Sequence, residues 1–532
     1  MRLTWIALAL LATPAFAVEE WTLKRLDIDL RVTAKPPSIT MRGKATVQLE
    51  AEQSNGPTFG INARKKVMKL TRLSADGATA SVRPFDDESP MDAAELRLPR
   101  AFKRGDTLDV EFEAVGVEQS SQFIWTSRLA YGSWVEHWYP VPAKGATELS
   151  PSAAPGTTTF HIPESWRSVG NGKLQSRTVS GNEATEIWST EAATARSFVT
   201  APFSSVEIID SHHRQIGAYL LKARPHIRAQ TEILARAIDA MEARFGPYPY
   251  DSYNIVEVGA SPAFTASSEQ GFIVVTSPML GAPEGNLPLF AHEAAHGWWG
   301  NLVRNDGPGG RMLSEALAQY GAVISIEAIE GPAAAAQFLR YSRANYSKHQ
   351  CARGYFNIWR EGGDRPLAEL GSAKWDHHLS DSKGMWFYRM LRDQIGDEKF
   401  FGALRTILRD YAGKEITLAD FRRIMIAAGS TPEFLSQWLD RAGAPVPRVD
   451  WRSEDGGRKA VVQIEQLQST PFQLPLEILV QTDSGASVRA TAQLRERKET
   501  IIVETPSRPV AVILDPDDRV LIWRPEYGSR PN

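Results

Sequence analysis

A chain of 532 residues, 42% apolar and 23% charged, is long enough for several hydrophobic cores and too ordinary in composition for a disordered or fibrous protein. Its 60 basic and 63 acidic side chains leave a net charge of −3, without the basic surplus that drives nucleic-acid binding by counterion release. Cys351 is the single cysteine, so no internal disulfide is available, and a structural, partly buried thiol is the expectation for it.

Residues 1–17 read as a signal peptide: Arg2 supplies the positive start, Trp5 to Leu11 a short apolar core, and Ala15-Phe16-Ala17 the small-x-small cleavage rule. The stretch is too short to span ~30 Å of hydrocarbon, Pro14 interrupts its end, and no cysteine follows to carry a lipid. No second apolar stretch of spanning length occurs. The expectation is an exported chain starting near Val18, periplasmic or extracellular, with no membrane insertion after cleavage.

From there the pattern alternates with period two. Leu26, Ile28, Leu30 and Val32 share one face, and Asp27, Asp29 and Arg31 the other. Similar runs at Ala45 to Leu49 and Thr107 to Phe112, with turn residues between them, predict an antiparallel sheet domain over 18–205. Near Ala223 the period changes. Ile227, Ile233, Leu234, Ile238 and Met241 predict a helix over 224–245, stopped by Gly246 and Pro247. Strand-like runs follow at Ile255 to Val258 and Phe272 to Thr276, and residues 287–445 then read as largely helical. A mixed domain is therefore expected over 206–445. After Pro445 and Pro447 strands return at Ala460 to Ile464, Leu474 to Val480, Thr500 to Val503 and Val510 to Leu514, predicting a small β-sandwich over 446–532. The fold class is a multidomain α+β protein.

The central motif is His292-Glu293-Ala294-Ala295-His296. Residues four apart lie on one helix face, so both imidazoles can converge on one Zn2+. A glutamate following the first histidine can reach a metal-bound water as general base, which is the role expected of Glu293. A catalytic zinc takes three protein ligands and keeps one position open. Glu315, at the start of a predicted helix from Glu315 to Glu327, completes a His2Glu set for one Zn2+ per chain. The helix is expected to end at Gly300-Asn301. The same spacing also occurs in histidines that are only hydrogen-bonded core residues.

These residues resemble the aminopeptidase N family of gluzincin zinc metallopeptidases. His292 to Asn301 reads HEAAHGWWGN, like that family's HExxH-x-W-x-G-N, and Leu313 to Ala318 is similar to the segment carrying its third ligand. Phe245 to Tyr250 resembles its F-G-x-Y-P-Y lead-in, Val169 to Gly172 the end of its first domain, Phe434 to Pro445 its closing F-x-x-W-x-x-x-G-x-P, and Leu514-Asp515-Pro516 the end of its sandwich. The resemblance runs through nearly the whole chain after the leader. It implies an N-terminal sheet domain, a thermolysin-like catalytic domain and a small sandwich, without room for the large helical domain that ends many members.

Two departures matter. Where the family's G-x-M-E-N holds the substrate's free amine, this chain has Ala266-Ser267-Ser268-Glu269-Gln270; the resemblance carries amine binding onto Glu269 alone. Where the family has its transition-state tyrosine, Asp381-Ser382-Lys383-Gly384 places an aspartate, which, ionised, cannot donate to an oxyanion. His377, His378 or Tyr388 are the nearby donors. The expected function is zinc-dependent peptide-bond hydrolysis, as an aminopeptidase acting on peptides with a free N-terminus. The alternatives are a zinc-stabilised peptide-binding scaffold with little catalysis, for which Asp381 argues, and a zinc endopeptidase. Oligomeric state is left open.

Overall fold

The computed structural model describes residues 21–531 apart from 63–64, 85–90, 145–147, 150–152, 212–213, 260–264, 282–285, 306 and 344–345. The leader expected over residues 1–17 lies outside the described residues. Among the described residues no helix is long and apolar enough to cross a membrane. The architecture is α+β in several sheets, and chain contacts divide it into two units, Met1–Phe203 and Ser204–Asn532.

The first unit is built on an eight-stranded sheet. Its central hairpin joins strands Trp21–Ala34 and Pro37–Leu49 in antiparallel register, with Ile28 opposite Gly43. Leu26, Ile28, Leu30 and Val32 are all buried, because period-two alternation sends them to the covered face. One pairing departs from the antiparallel expectation: Trp21–Ala34 runs parallel to Ala154–Pro163. A parallel neighbour needs a long crossover rather than a tight turn, and more than a hundred intervening residues supply it.

The second unit opens with a five-stranded sheet: β1 (Ser205–Ser211), β2 (Arg214–Leu220), β3 (Asn254–Glu257), β4 (Ala266–Glu269) and β5 (Phe272–Val275). Their spatial order is β1-β2-β3-β5-β4. β2, β3 and β5 run parallel, and β4 closes the edge antiparallel to β5. β3 and β5 are buried at every position, the pattern of strands covered on both faces. Helix α1 (Ile227–Phe245) makes the crossover from β2 to β3.

Helix α2 (Leu287–Ala295) carries the metal motif. It starts where the Asn286 side chain accepts from the Leu289 amide, and all nine of its residues are buried, His292 and Glu293 included. The helix proper ends at Ala295, short of the expected Gly300-Asn301. The amides of Gly297 and Trp298 turn to the carbonyls of Ala294 and Ala295, a tightened last turn that leads into Gly300 at φ +105°. Trp298 and Trp299 are buried against Phe245 and so pack the helix in place.

Helix α3 (Glu315–Glu330) crosses α2 at Gly321, where an added Cβ would stand 2.6 Å from the Ala295 Cβ. Only glycine allows this approach, and it brings Glu315 up to the motif. Helices then continue to Leu439.

The last strands form two three-stranded sheets around Val462, Ile464, Leu476, Ile478 and Val480. They include Pro447–Glu454 and Ser487–Leu494, which the sequence reading did not single out; the first is mostly exposed, whereas the second alternates in period two, with Val488, Ala490, Ala492 and Leu494 on its less exposed face. The sandwich packs on the helices through the Trp438–Phe472 ring pair at 5.0 Å and a reciprocal pair of Gln437–Gln473 hydrogen bonds.

Candidate metal centre

α2 and α3 bring His292, His296 and Glu315 together, with ligand atoms all within 4.8 Å. The Nε2 atoms of the two histidines face each other at 3.2 Å, and Glu315 Oε2 lies 3.7 Å from each. The opposite ring nitrogens are committed elsewhere. His292 Nδ1 bonds to Gln319 Oε1 at 2.8 Å, and His296 Nδ1 to the carbonyl of Trp299 at 3.0 Å. Both acceptors are oxygens, so these partners assign the proton to Nδ1 in each ring and leave the Nε2 lone pairs pointing inward. Two inward imidazole lone pairs and a carboxylate, with their outer atoms already hydrogen-bonded, fit a divalent zinc ion with a fourth position open.

The electrostatics agree with that fit. Burial would pull the His292 pKa down, yet its hydrogen bond to the Glu315 carboxylate and the charges of Asp381 and Glu293 lift it to about 9, so without an ion a proton takes the inward position that a cation would fill. Burial would raise Glu315, but the surrounding histidines hold it far below the ordinary carboxylate value. The cluster thus draws positive charge to its centre. Glu293 behaves oppositely: burial lifts its pKa to about 7, against the pull of His292 and with the help of Glu315.

Glu269 ends β4 and is fully buried. Its neighbour Ser268 donates to the backbone carbonyl of Glu293 at 2.8 Å, which locks the edge strand to the metal helix at the general-base position. Asp381 lies in a π-helical turn, Ser380–Gly384, that follows the short helix Asp376–Leu379. It too is fully buried, and burial raises its pKa. Of the three nearby donors, only His377 reaches the centre, its Nδ1 3.5 Å from Glu315 Oε2. His378 packs against His349 and Trp375, and burial lowers it to about 4. Tyr388 is buried in the core with its hydroxyl donated to the Met312 carbonyl.

Three further residues complete the surroundings. Gln319 stands one turn after Glu315 on the same helix face, a spacing that could have found it. Tyr346 donates to Gln319 Oε1 at 2.8 Å, and Gln350 donates to Asp381 Oδ2. Both come from an irregular segment whose sequence has no periodic signal. Cys351 is buried, not partly exposed, and its sulfur caps the helix Ala352–Arg360 by accepting from the Gly354 amide.

Comparison with known proteins points the same way. Residues 229–438 match the model of the Peptidase family M1 domain. Aminopeptidase B of Rattus norvegicus is 24% identical over 243 residues, 42% of this chain and 36% of its own length. Leucine aminopeptidase 2 of Emericella nidulans is 23% identical over 265 residues, 46% of this chain and 41% of its own. The matched stretch thus spans well under half of these curated relatives. The crystal structure of Legionella pneumophila aminopeptidase A in complex with aspartic acid shares the fold, with a TM-score of 0.69 at 16% identity over 94% of this chain and 59% of that one.

Proposed function

We propose that this chain, whose residues 229–438 match the Peptidase family M1 domain, is a zinc aminopeptidase of that family that removes residues from peptides with a free N-terminus. The observation that carries the reading is the convergence of His292, His296 and Glu315 beside the buried Glu293. His292, His296 and Glu315 would hold a zinc ion, which when bound would supply Lewis acidity to the scissile carbonyl and to a water. Glu293 takes the proton from the attacking water and returns it to the departing amine. Gln319 and the Trp299 carbonyl hold the two imidazoles in their metal-binding tautomer. Glu269, on the strand tied to Glu293, receives the substrate's ammonium group through its carboxylate. The proposed setting is outside the cytoplasm, on the strength of Arg2, the apolar Trp5 to Leu11 and Ala15-Phe16-Ala17.

The test is hydrolysis of unblocked aminoacyl fluorogenic amides, each paired with its N-acetylated copy, with zinc, with chelator, and with Glu293→Gln. The expected result is zinc-dependent release from the unblocked set only, falling ~10²–10⁴-fold in the variant while bound zinc persists. Cleavage of blocked peptides instead would favour the endopeptidase. Silence from the zinc-loaded protein would favour the scaffold, the reading that buried Asp381 supports.

A further inference from the structure

The short helix Asp376–Leu379 and the π-helical turn that follows it place Asp381 four residues after His377, so the two side chains meet on one face beside the metal centre. His377 Nε2 lies 3.4 Å from Asp381 Oδ2, and its Nδ1 lies 3.5 Å from Glu315 Oε2. The imidazole thus stands between two carboxylates, with opposite nitrogens turned to them. A ring lone pair aimed at a carboxylate oxygen would be repelled, so each nitrogen faces its carboxylate across a proton. Behind the ring Asp381 is fully buried, and it accepts from the Gln350 amide at Oδ2 and the Ser380 hydroxyl at Oδ1. That carboxylate is a fixed backstop, and it aims the Nδ1 edge of the ring at the metal centre.

The His377 side chain is 46% exposed, against 6% for His292 and 15% for His296, so it lines the open side of the centre, where a substrate can arrive. Both of its contacts are longer than the 2.7–2.9 Å of a formed charge-assisted hydrogen bond, which leaves the ring room to turn. Catalytic hydrogen bonds are often long in a free enzyme and tighten when substrate binds. Nδ1 stands 3.5 Å from a Glu315 oxygen that itself lies 3.7 Å from both inward histidine nitrogens. A substrate oxygen drawn in beside those three atoms comes within reach of the Nδ1 proton. The other nearby donors do not compete: His378 packs on His349 and Trp375, and the hydroxyls of Tyr388 and Tyr346 are donated to Met312 and Gln319.

We propose that His377 is a catalytic residue that donates a hydrogen bond from Nδ1 to the oxyanion of the tetrahedral intermediate, and that Asp381 is its positioning residue. The proposal rests on the zinc peptidase reading of the centre. In this step no covalent bond forms or breaks, and the proton stays on Nδ1 while negative charge gathers on the substrate oxygen. The ring stands between Asp381 and Glu315, so the aspartate meets the oxyanion only through it. Its charge then orients a donor instead of repelling the intermediate.

The test compares the zinc-loaded full chain with His377→Ala, His377→Gln, Asp381→Asn and the His377→Ala/Asp381→Asn double variant. Three quantities are read: kcat and KM on an unblocked aminoacyl amide, bound zinc by plasma mass spectrometry, and calorimetric affinity for a phosphinic dipeptide analogue. The tetrahedral anion of that analogue mimics the oxyanion without turnover. His377→Ala should lose ~10²–10³-fold in kcat and in phosphinate affinity, the cost of one oxyanion donor, with zinc content unchanged. Its KM should stay within about threefold of wild type, because the bond is made only in the transition state. His377→Gln keeps an N–H donor and should recover part of both losses. Asp381→Asn should lower kcat in the wild-type background and not in the His377→Ala background, because it acts through the ring alone. Should the buried Asp381→Asn fail to fold, the two His377 variants still decide. If kcat and phosphinate affinity of His377→Ala stay within about threefold of wild type while Glu293→Gln is inactive, the role of His377 is overturned and the peptidase stands. Zinc lost in step with kcat overturns it too, by making the ring a support of the metal. A wild type that hydrolyses nothing overturns the peptidase reading and this role together.

Discussion

Replacing Gln319 by leucine isolates what holds the metal ligands in place. Gln319 is fully buried, and its Oε1 accepts two hydrogen bonds of 2.8 Å, from His292 Nδ1 and from the Tyr346 hydroxyl. Leucine fills much of the same volume and accepts neither, so two buried donors lose their partner at ~1–3 kcal/mol each. The two losses differ in kind. The Tyr346 bond is present with or without metal, so its loss lowers folding stability and cancels in metal affinity. The His292 bond fixes the ring's tautomer and direction, so its loss falls on the metal. Removal of such an outer partner costs ~10–100-fold in affinity. That corresponds to about 1.4–2.8 kcal/mol. Zinc affinity measured by competition with a chromogenic chelator should fall by that factor in Gln319→Leu and by less than about threefold in Tyr346→Phe, which keeps the His292 bond. Gln319→Glu should bind zinc at least as tightly as wild type, because a carboxylate acceptor raises the basicity of the ligating ring. Zinc affinity in Gln319→Leu within twofold of wild type would refute the idea that this amide orients His292.

Gly321→Ala places a methyl 2.6 Å from the Ala295 Cβ and 3.0 Å from Met241 Sδ. The methionine can move aside but the alanine cannot, so α2 and α3 must part; the expected cost is ~1–3 kcal/mol in denaturant unfolding, with weakened zinc binding, and an unchanged midpoint would contradict it. Arg224→Met addresses the buried ion pair with Glu257. Burial alone would raise the Glu257 pKa, but Arg224, Ser277 and the Leu221 amide bring it below 4.5. A carboxylate depressed in the folded state contributes stability above its unfolded pKa and loses it as pH falls through the folded one. The variant should therefore unfold at higher pH on acid titration and lose ~3–5 kcal/mol near neutrality. An acid transition at the wild-type pH would refute this. Burial raises the Cys351 thiol to about 11, so iodoacetamide at pH 8 should leave the native chain unmodified and alkylate one thiol per chain after denaturation; rapid native labelling would show that the cap opens.

Patterns carried by near neighbours in the chain were readable beforehand. Period two placed Leu26 to Val32 on the covered face of the first sheet, and helical spacing placed α1 to within a few residues. Pro447–Glu454 escaped because a largely exposed strand has little contrast between its faces, whereas the alternation of Val488, Ala490, Ala492 and Leu494 made Ser487–Leu494 legible beforehand. The end of α2 was misplaced because the last turn tightens through contacts with residues beyond it, not through the composition of His296 to Trp299.

The sequence by itself determined the donor chemistry: the helix repeat alone puts two histidines four apart on one face with Glu293 beside them, and Glu315 offers a third donor from the next helix, which close packing of the two helices brings up. Only the tertiary structure decided what surrounds them. That His377 faces Glu315 while His378 packs on Trp375, that Tyr388 is spent on the Met312 carbonyl, and that Tyr346 and Gln350 reach Gln319 and Asp381 depend on how distant segments meet. No periodicity encodes those meetings. They are set by close packing, such as α3 against α2 at Gly321, where the absence of one methyl group lets the helices approach and a distance of 2.6 Å would otherwise hold them apart.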